Sequence, residues 1–332
     1  MTAGARWLDP EVLRNERLRV FGGSWLMACA AARVAAPGAF AVFDLGDSST
    51  ILWRDADGVL RAFANACPHR GTRLLDGCGR TPNIVCPYHA FSYGSDGGLL
   101  TAPHLDVAPV LKLVPQPVEE RYGLVWLDFG CAQTLAEYLE PLDAELQSRD
   151  LARLRLDSEV SVELHCNWKI SADVHGEALH VPSLHPEIAA AVDHRGAKIT
   201  RLTPHARLDV EPRIDDLGTN VLLYIFPNLH LNLHADYALI FRHRPHAVDP
   251  TRCSFDQIAL SSAGGESAHP PQPPRSVALD DAAIGPVTSA DLRIAERVQR
   301  GLSTGQVEPQ LTQPERLLAW MLEEIDRRLR DA

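Results

Sequence analysis

The sequence is short of several things, and each shortage excludes something. Its opening, MTAGARWLDPEVLRNERLRVF, has no basic stretch followed by an apolar run, so no signal peptide is expected. No apolar segment is long enough to span a bilayer, because the most apolar stretch, Ser24 to Phe43, is broken by Arg33 and Pro37. Positive charge is in deficit. Lys and Arg number 32 against 43 Asp and Glu, and the formal net charge of −11 argues against nucleic acid or an anionic membrane as partner. An acidic surface can still steer a basic protein. Internal repeats are absent. Cysteines number seven, an odd count without an export signal, which favours cytosolic thiols or metal ligands over a disulfide framework. These absences together describe a soluble cytoplasmic protein.

What remains is ordinary globular material: 332 residues, 45% hydrophobic and 23% charged, enough for one large domain or two average ones. Residues 5 to 20 read as a short helix with Asp9 and Pro10 suited to its start. From about 38 to 130, short apolar runs alternate with Gly and Asp turns: Ala39–Leu45, Thr50–Arg54, Leu60–Ala64, and Gly123–Phe129. This texture predicts a small antiparallel β domain. Leu135 to Leu151 reads as helix divided at Pro141. Strand-like runs return over 155–165 and 219–260. Within the latter, Tyr224, Phe226, Asn228, His230, Asn232 and His234 alternate onto one face, which either lines a pocket or divides between core and solvent. Residues 261–276 (SSAGGESAHPPQPPRS) form the one low-complexity stretch and read as an exposed loop. Two helices close the chain. One begins near Thr288 and runs through Leu302; the other follows a Thr312/Glu315 capping box and carries a stripe from Leu317 to Leu329. The layout is a β-rich module inserted near the start of a larger α+β domain.

The sharpest motif is Cys67-Pro-His69 followed by Cys86-Pro-Tyr-His89. Two Cys/His pairs on tight turns are able to bind zinc, but zinc sites favour gaps of two to four residues, and the first pair has a gap of one. Cys-x-His with Cys-x-x-His matches a Rieske [2Fe–2S] centre, in which two thiolates hold one iron and two imidazoles the other. Cys78 lies between the pairs but fits no ligand position. A second cluster follows about ninety residues later in Glu177-Ala-Leu-His180-Val-Pro-Ser-Leu-His185. Placed on a helix, Glu177 and His180 share a face, and Pro182 ends or distorts that helix before His185. Two imidazoles with one carboxylate form the facial triad of non-haem Fe(II) oxygenases.

The stretches Arg61–Leu74, Cys86–Tyr93 with Asp96-Gly97, and Asn167-Trp-Lys through His185 resemble the Rieske non-haem iron oxygenase family, the aromatic-ring-hydroxylating catalytic alpha subunits. The likeness runs from Leu8 to about Leu329. It implies an α+β fold: an antiparallel β Rieske domain inserted in a helix-grip catalytic domain, an antiparallel sheet around a long helix. The implied divisions are an N-terminal helix over 1–20, the Rieske domain over 21–130, and the mononuclear iron domain over 131–332. It implies Cys67, His69, Cys86 and His89 as cluster ligands, and His180 and His185 on Fe(II). Glu177 is implied as the bridge that carries electrons between His89 and His180, usually across a subunit boundary. The third iron ligand is selected by Glu296-Arg-Val-Gln-Arg-Gly-Leu302, which matches a family stretch just past an acidic residue, and Asp291 is that residue. Asp281 is the competitor, and Thr288-x-x-Asp291 also reads as a helix cap. His175 stands where the sequence departs from the family pattern, and it is expected either to support the ligands from behind or to lie at the surface. The implied partners are O₂, a small organic substrate, and an NAD(P)H-dependent reductase with or without a ferredoxin. A homotrimer is implied, with or without a small beta subunit. The alternative is a Rieske electron carrier or sensor with no oxygenase activity. Glu177 in place of Asp is a feature of members acting on quaternary amines, yet with 6% aromatics no cage for such a cation can be picked out.

Overall fold

The computed structural model describes residues 4–103, 105–106, 109–213, 220–262 and 272–330. Two compact units result, Trp25–Gly130 and a second built from Met1–Ser24 with Cys131–Ala332.

The first unit is all β. Its strands are β1 (Trp25–Ala30), β2 (Ala39–Leu45), β3 (Ser48–Arg54), β4 (Leu60–Ala64), β5 (Cys78–Arg80), β6 (Ile84–Val85), β7 (Ser92–Tyr93), β8 (Leu99–Thr101), β9 (Val118–Arg121) and β10 (Leu124–Asp128). They form three antiparallel sheets in the orders β1-β10-β9, β4-β3-β2-β5 and β6-β7-β8. Aromatic and β-branched residues favour these pleated surfaces, and Trp53, Phe63, Ile84, Phe91 and Tyr93 bury themselves in one cluster. Cys67 and Cys86 belong to that same cluster, each 2% exposed.

In the second unit, the expected helix over 5–20 is two pieces, α1 (Ala5–Leu8) and α2 (Pro10–Arg19). Asp9 divides them because its extended backbone and side chain, which accepts from Glu11 N–H, make it an N-cap. Then come α3 (Leu135–Leu139) and α4 (Asp143–Arg149), separated at Pro141, and β11 (Arg155–Leu164). Three short helices follow, α5 (Trp168–Asp173), α6 (Val181–Leu184) and α7 (Pro186–Ala191). The sheet continues with β12 (Lys198–Leu202), β13 (His205–Val210), β14 (Asn220–Ile225), β15 (Leu229–Leu233), β16 (Tyr237–Pro245), β17 (Cys253–Ser261) and β18 (Arg275–Ser276). Its order is β12-β13-β14-β15-β16-β17-β11-β18, antiparallel except where β18 runs parallel to β11. Residue 219 and residues 263–271 of the low-complexity stretch lie outside the described residues.

Two long helices close the unit. Along α8 (Pro286–Leu302), Thr288, Asp291, Leu292, Ala295, Gln299 and Leu302 form a buried stripe of helical period. On α9 (Arg316–Arg330), Leu317, Leu318, Met321 and Ile325 do the same. Helix α5 packs against β16, β17 and α8, so it lies between the sheet and the long helix. No described helix is long and apolar enough to cross a membrane.

One part of the expected pattern folds differently. Tyr224 to His234 is not a single strand: the chain reverses at Phe226–Asn228, and Tyr224 pairs with His230 across a hairpin. Tyr224 spends its hydroxyl on the Pro227 carbonyl, and Asn228 donates to the His243 carbonyl. The near end of the run is therefore core.

The unit is tied together around Asn167-Trp168-Lys169. The Lys169 ammonium and Glu16 carboxylate meet at 2.7 Å, both side chains fully buried, with Trp168 Nε1 donating to the other Glu16 oxygen at 2.9 Å. Burial pushes Lys169 below the ordinary lysine range and Glu16 opposes that shift. The rings of Trp7 and Trp168 stand 5.5 and 5.4 Å from the ammonium and add cation–π attraction. Removing one partner strands a buried charge. Lys169→Met is expected to destabilise the fold by about 3–5 kcal/mol in urea denaturation, and Glu16→Gln/Lys169→Met by clearly less than the sum of its single changes.

Candidate metal centres and substrate cavity

In the all-β unit, the two Cys/His motifs occupy two turns of matching construction. Gly71 N–H donates to the Cys67 carbonyl at 2.7 Å, and Ala90 N–H to the Cys86 carbonyl at 3.0 Å. Gly71 and Ala90, each four residues past the cysteine, both adopt positive φ, at 76° and 58°. The left-handed step comes freely to Gly71 and at some strain to Ala90. The turns deliver unlike chemistry to different depths. Cys67 and Cys86 lie inside, while His69 is exposed and His89 half-buried, their ring centroids 5.0 Å apart. His69 stacks on Phe91 at 5.0 Å and His89 on Tyr88 at 3.8 Å, which fixes both ring planes. The Tyr93 hydroxyl, its pKa raised first by burial and then by Cys67, stays protonated and donates to Cys67 Sγ at 3.1 Å. A donor set of two buried thiols and two outer imidazoles fits a [2Fe–2S] group with unlike irons.

In the second unit, His180, His185 and Asp291 each offer a ligand atom, and all three atoms lie within 4.8 Å of one another. His185 Nε2 lies 2.7 Å and His180 Nε2 3.6 Å from Asp291 Oδ1. Asp281 is elsewhere, its Oδ1 accepting from Ala283 N–H. The capping alternative for Asp291 fails because α8 starts at Pro286 with Gly285 as N-cap, leaving Asp291 on the buried stripe. Two nitrogens and a carboxylate oxygen with one side open fit an Fe(II) site.

Glu177 and His180 do not share a helix face, contrary to the helical reading of their spacing. Helix α5 ends at Asp173, and bends fill the gap to α6. Gly176 permits the turn where a Cβ would come within 2.9 Å of Leu317 Cδ2. The pair meets by another route: the Glu177 carboxylate turns forward to accept from the Leu179 and His180 backbone N–H groups and from His180 Nδ1–H. That last bond fixes the tautomer, leaving Nε2 free to face Asp291. Burial lowers the His180 pKa, but the Glu177 hydrogen bond and the charges of Glu177 and Asp291 outweigh it and the net shift is upward. Behind them, Asp173 is pushed up to about 8 by burial and then by Glu177 and Glu315, so it is mostly protonated at neutral pH.

A cavity of about 460 Å³ opens on this triad. Its walls are the 174–194 segment, the first turns of α8, and the sheet face carrying Leu208, Asn220, Leu222, Asn232, Leu239 and Phe241. His175 lines it and is 8% exposed, which excludes the surface role. Of the alternating run, Asn232 and His234 reach the cavity. Asn220, His194 and Tyr237 were not picked out from the sequence, since isolated polar residues on strands and turns carry no signal until the fold gathers them.

Comparison with known proteins agrees with this geometry. Residues 24–115 match the model of the Rieske [2Fe-2S] domain, and residues 151–216 and 201–331 that of the ring hydroxylating alpha subunit catalytic domain. The two matched domains are those that Rieske-type oxygenase subunits combine. The chain belongs to the ring-hydroxylating alpha-subunit family. It is 31% identical over 195 residues to the carnitine monooxygenase oxygenase subunit of Acinetobacter pittii, a stretch covering 56% of this chain and 53% of that protein. It is 28% identical over 207 residues to the glycine betaine monooxygenase oxygenase subunit of Chromohalobacter salexigens, covering 60% and 46%. The chain thus matches about half the length of these curated relatives. In fold it is similar to a quaternary ammonium Rieske monooxygenase crystallised with L-carnitine, at TM-score 0.84 and 22% identity over 98% of this chain and 95% of the other. It is also similar to naphthalene 1,2-dioxygenase from Rhodococcus sp. bound to indole, at TM-score 0.79 and 18% identity over 99% and 94%.

A hydrogen bond to a ligating sulfur stabilises the more negative, reduced cluster. In cluster-loaded protein, Tyr93→Phe is therefore expected to lower the midpoint potential by about 40 mV, the one-electron equivalent of about 1 kcal/mol. A redox titration followed by electron paramagnetic resonance measures it, and an unchanged potential would remove Tyr93 from the tuning.

Proposed function

We propose that this chain is the terminal oxygenase component of a system that uses O₂ and NAD(P)H-derived electrons to hydroxylate, dihydroxylate or demethylate a small organic molecule. The reading is carried by one observation: the convergence of His180, His185 and Asp291 within 4.8 Å beside a cavity of about 460 Å³. Bound there, Fe(II) with open positions supplies O₂ activation, and a Rieske [2Fe–2S] group held by Cys67, His69, Cys86 and His89 supplies single electrons. The protein's own residues prepare the site. Glu177 holds the Nδ1 proton of His180 and turns Nε2 inward. Asp291 supplies the anionic oxygen from a rigid helix, and its charge offsets that of a divalent ion. Val174, Ala178, Val181 and Val287 line the cavity, exclude bulk water and hold an apolar substrate beside the triad.

Several assignments extend the reading: 21–130 as the Rieske domain, 131–332 as the catalytic domain, and 1–20 as an N-terminal helical segment, in two pieces, packed on the latter. Glu177 is proposed to couple His180 to His89 of the partner subunit in a homotrimer, a head-to-tail arrangement that suits transfer between neighbours. One of the similar structures is described as revealing inter-subunit electron transfer. A reductase, alone or with a ferredoxin, is the proposed partner, and the cytoplasm the proposed compartment.

Metal analysis of anaerobically purified protein tests the assignment. About three irons and two sulfides per chain are expected, from one Rieske cluster and one mononuclear iron. Asp291→Ala is expected to leave about two irons and two sulfides with the Rieske signal intact, because it removes a ligand of the mononuclear site alone. Loss of sulfide together with iron in that variant would point to misfolding, and a full three irons would remove Asp291 from the ligand set. Zinc without sulfide after iron-replete expression would sink the oxygenase reading. A loaded protein that is reduced but never oxidises a substrate would favour an electron carrier.

A further inference from the structure

The catalytic unit buries two thiols against each other. Cys166 Sγ and Cys253 Sγ lie 3.8 Å apart, and both residues are fully buried. The sheet brings them together: Cys253 opens β17 opposite Leu164 of β11, and Cys166 follows two residues later at the turn into α5. A disulfide holds its sulfurs about 2 Å apart, so small side-chain rotations would close this pair.

Reagents from solvent are poorly placed to close it. Burial holds the Cys253 thiol well above the ordinary cysteine range, so it stays protonated. A buried, protonated thiol is inert towards oxidants that need a thiolate. What does reach the pair is a run of groups from the cavity. The Ser171 hydroxyl lies within hydrogen-bonding reach of Cys253 Sγ and 2.8 Å from His243 Nδ1. The His243 ring stands 5.3 Å from that of His175, which lines the cavity together with His180, His185 and Asp291. Phe255, two residues beyond Cys253 and on the same face of β17, stacks on His175 at 5.4 Å. Electrons cross ring contacts of this size without any group having to move.

Resting on the oxygenase reading of this site, we propose that Cys166 and Cys253 are an internal reductant. When O₂ reacts at the triad with no substrate in the cavity, the pair gives up two electrons and closes to a disulfide. One electron leaves Cys253 by way of the Phe255, His243 and His175 rings. The Cys253 proton passes to Ser171 Oγ as Ser171 hands its own to His243 Nδ1. The sulfur radical then bonds to Cys166 Sγ as the second electron and the Cys166 proton depart. The balance is one O₂, two electrons from the reduced metal centres, two protons and two thiols giving one disulfide and two waters. Oxidising power is thus spent on sulfur, whose disulfide is reversible, and not on the imidazoles of His180 and His185.

The test uses the iron-loaded full chain, reduced anaerobically with dithionite, desalted, and mixed once with O₂ and catalase in the absence of substrate. Samples are quenched in acid, free thiols are labelled with N-ethylmaleimide in denaturant, and peptides are read by mass spectrometry. Loss of both labels and a linked Cys166–Cys253 peptide are expected. In Asp291→Ala both thiols are expected to stay labelled, after O₂ and equally after added hydrogen peroxide. Linkage in that variant to the same extent as in the natural protein would show oxidation without the triad and overturn the proposal. Iron counting and the Rieske signal separate this inference from the reading beneath it. Two labelled thiols in protein that holds its mononuclear iron, and whose reduced Rieske signal O₂ has abolished, sink this inference alone. Natural protein that takes up no mononuclear iron sinks the oxygenase reading and this inference with it.

Discussion

The structure of the catalytic unit hangs on a buried ion pair. Lys169 and Glu16 are both sealed from solvent, and such a pair contributes little net stability compared with an apolar packing of the same volume. What it contributes is position. Glu16 comes from α2 near the start of the chain, and Lys169 from α5, the helix that leads into the candidate iron ligands. Next to the pair, Asn167 has every polar group spent: its side chain accepts from Lys169 N–H and donates to the Trp7 and Pro250 carbonyls, and its own N–H donates to Gln299 Oε1. Three remote segments are fixed at one residue. Gln299 lies on α8 eight residues beyond Asp291, a rise of about 12 Å along a rigid helix. Glu296, one turn earlier, accepts from the His165 N–H. The Glu-x-x-Gln spacing on α8 thus sets the height of that helix against the β11–α5 corner, and with it the height of Asp291 against His180 and His185.

The two candidate metal centres solve the same problem differently. The cluster site is local: two short turns, each closed by two backbone bonds, set four donors by their own geometry, and the surrounding core has only to hold the turns face to face. The iron site is assembled from distant pieces. Its histidines leave a bent connection between short helices, and its carboxylate arrives from more than a hundred residues later. A site of the second kind needs outside reference points, and the Asn167 knot and the Glu177–His180 bond are those points.

This difference decides what could be read from the sequence. Cys67, His69, Cys86 and His89 were legible because turn chemistry is written in consecutive residues. Asp291 was singled out only through the neighbouring Glu296 and Gln299, whose structural task is to fix α8 against the β11–α5 corner. The helical placement of Glu177 and His180 failed because periodicity reports spacing and not the backbone path: α5 ends at Asp173, and the Glu177 side chain restores the contact by turning forward onto His180. The run from Tyr224 to His234 failed likewise, since alternation continues across a tight hairpin and conceals the reversal. Strands β12 and β13 gave no signal, because their sequences KITRL and HARLDV mix charge into every second or third position. The cavity wall was out of reach in principle, being drawn from four strands, three helices and the turns between them.

That wall is where individuality resides, because one fold serves family members with different chemistry. Val, Leu and Ile side chains make up much of it, and Asn220, Asn232, His194 and Tyr237 interrupt them from the sheet and from the turn after α7. None of these four belongs to the Asn167 knot or to the segment that carries Glu177, His180 and His185. A change at any of them therefore alters the shape and polarity of the cavity and leaves in place the scaffold that sets Asp291 against the histidines.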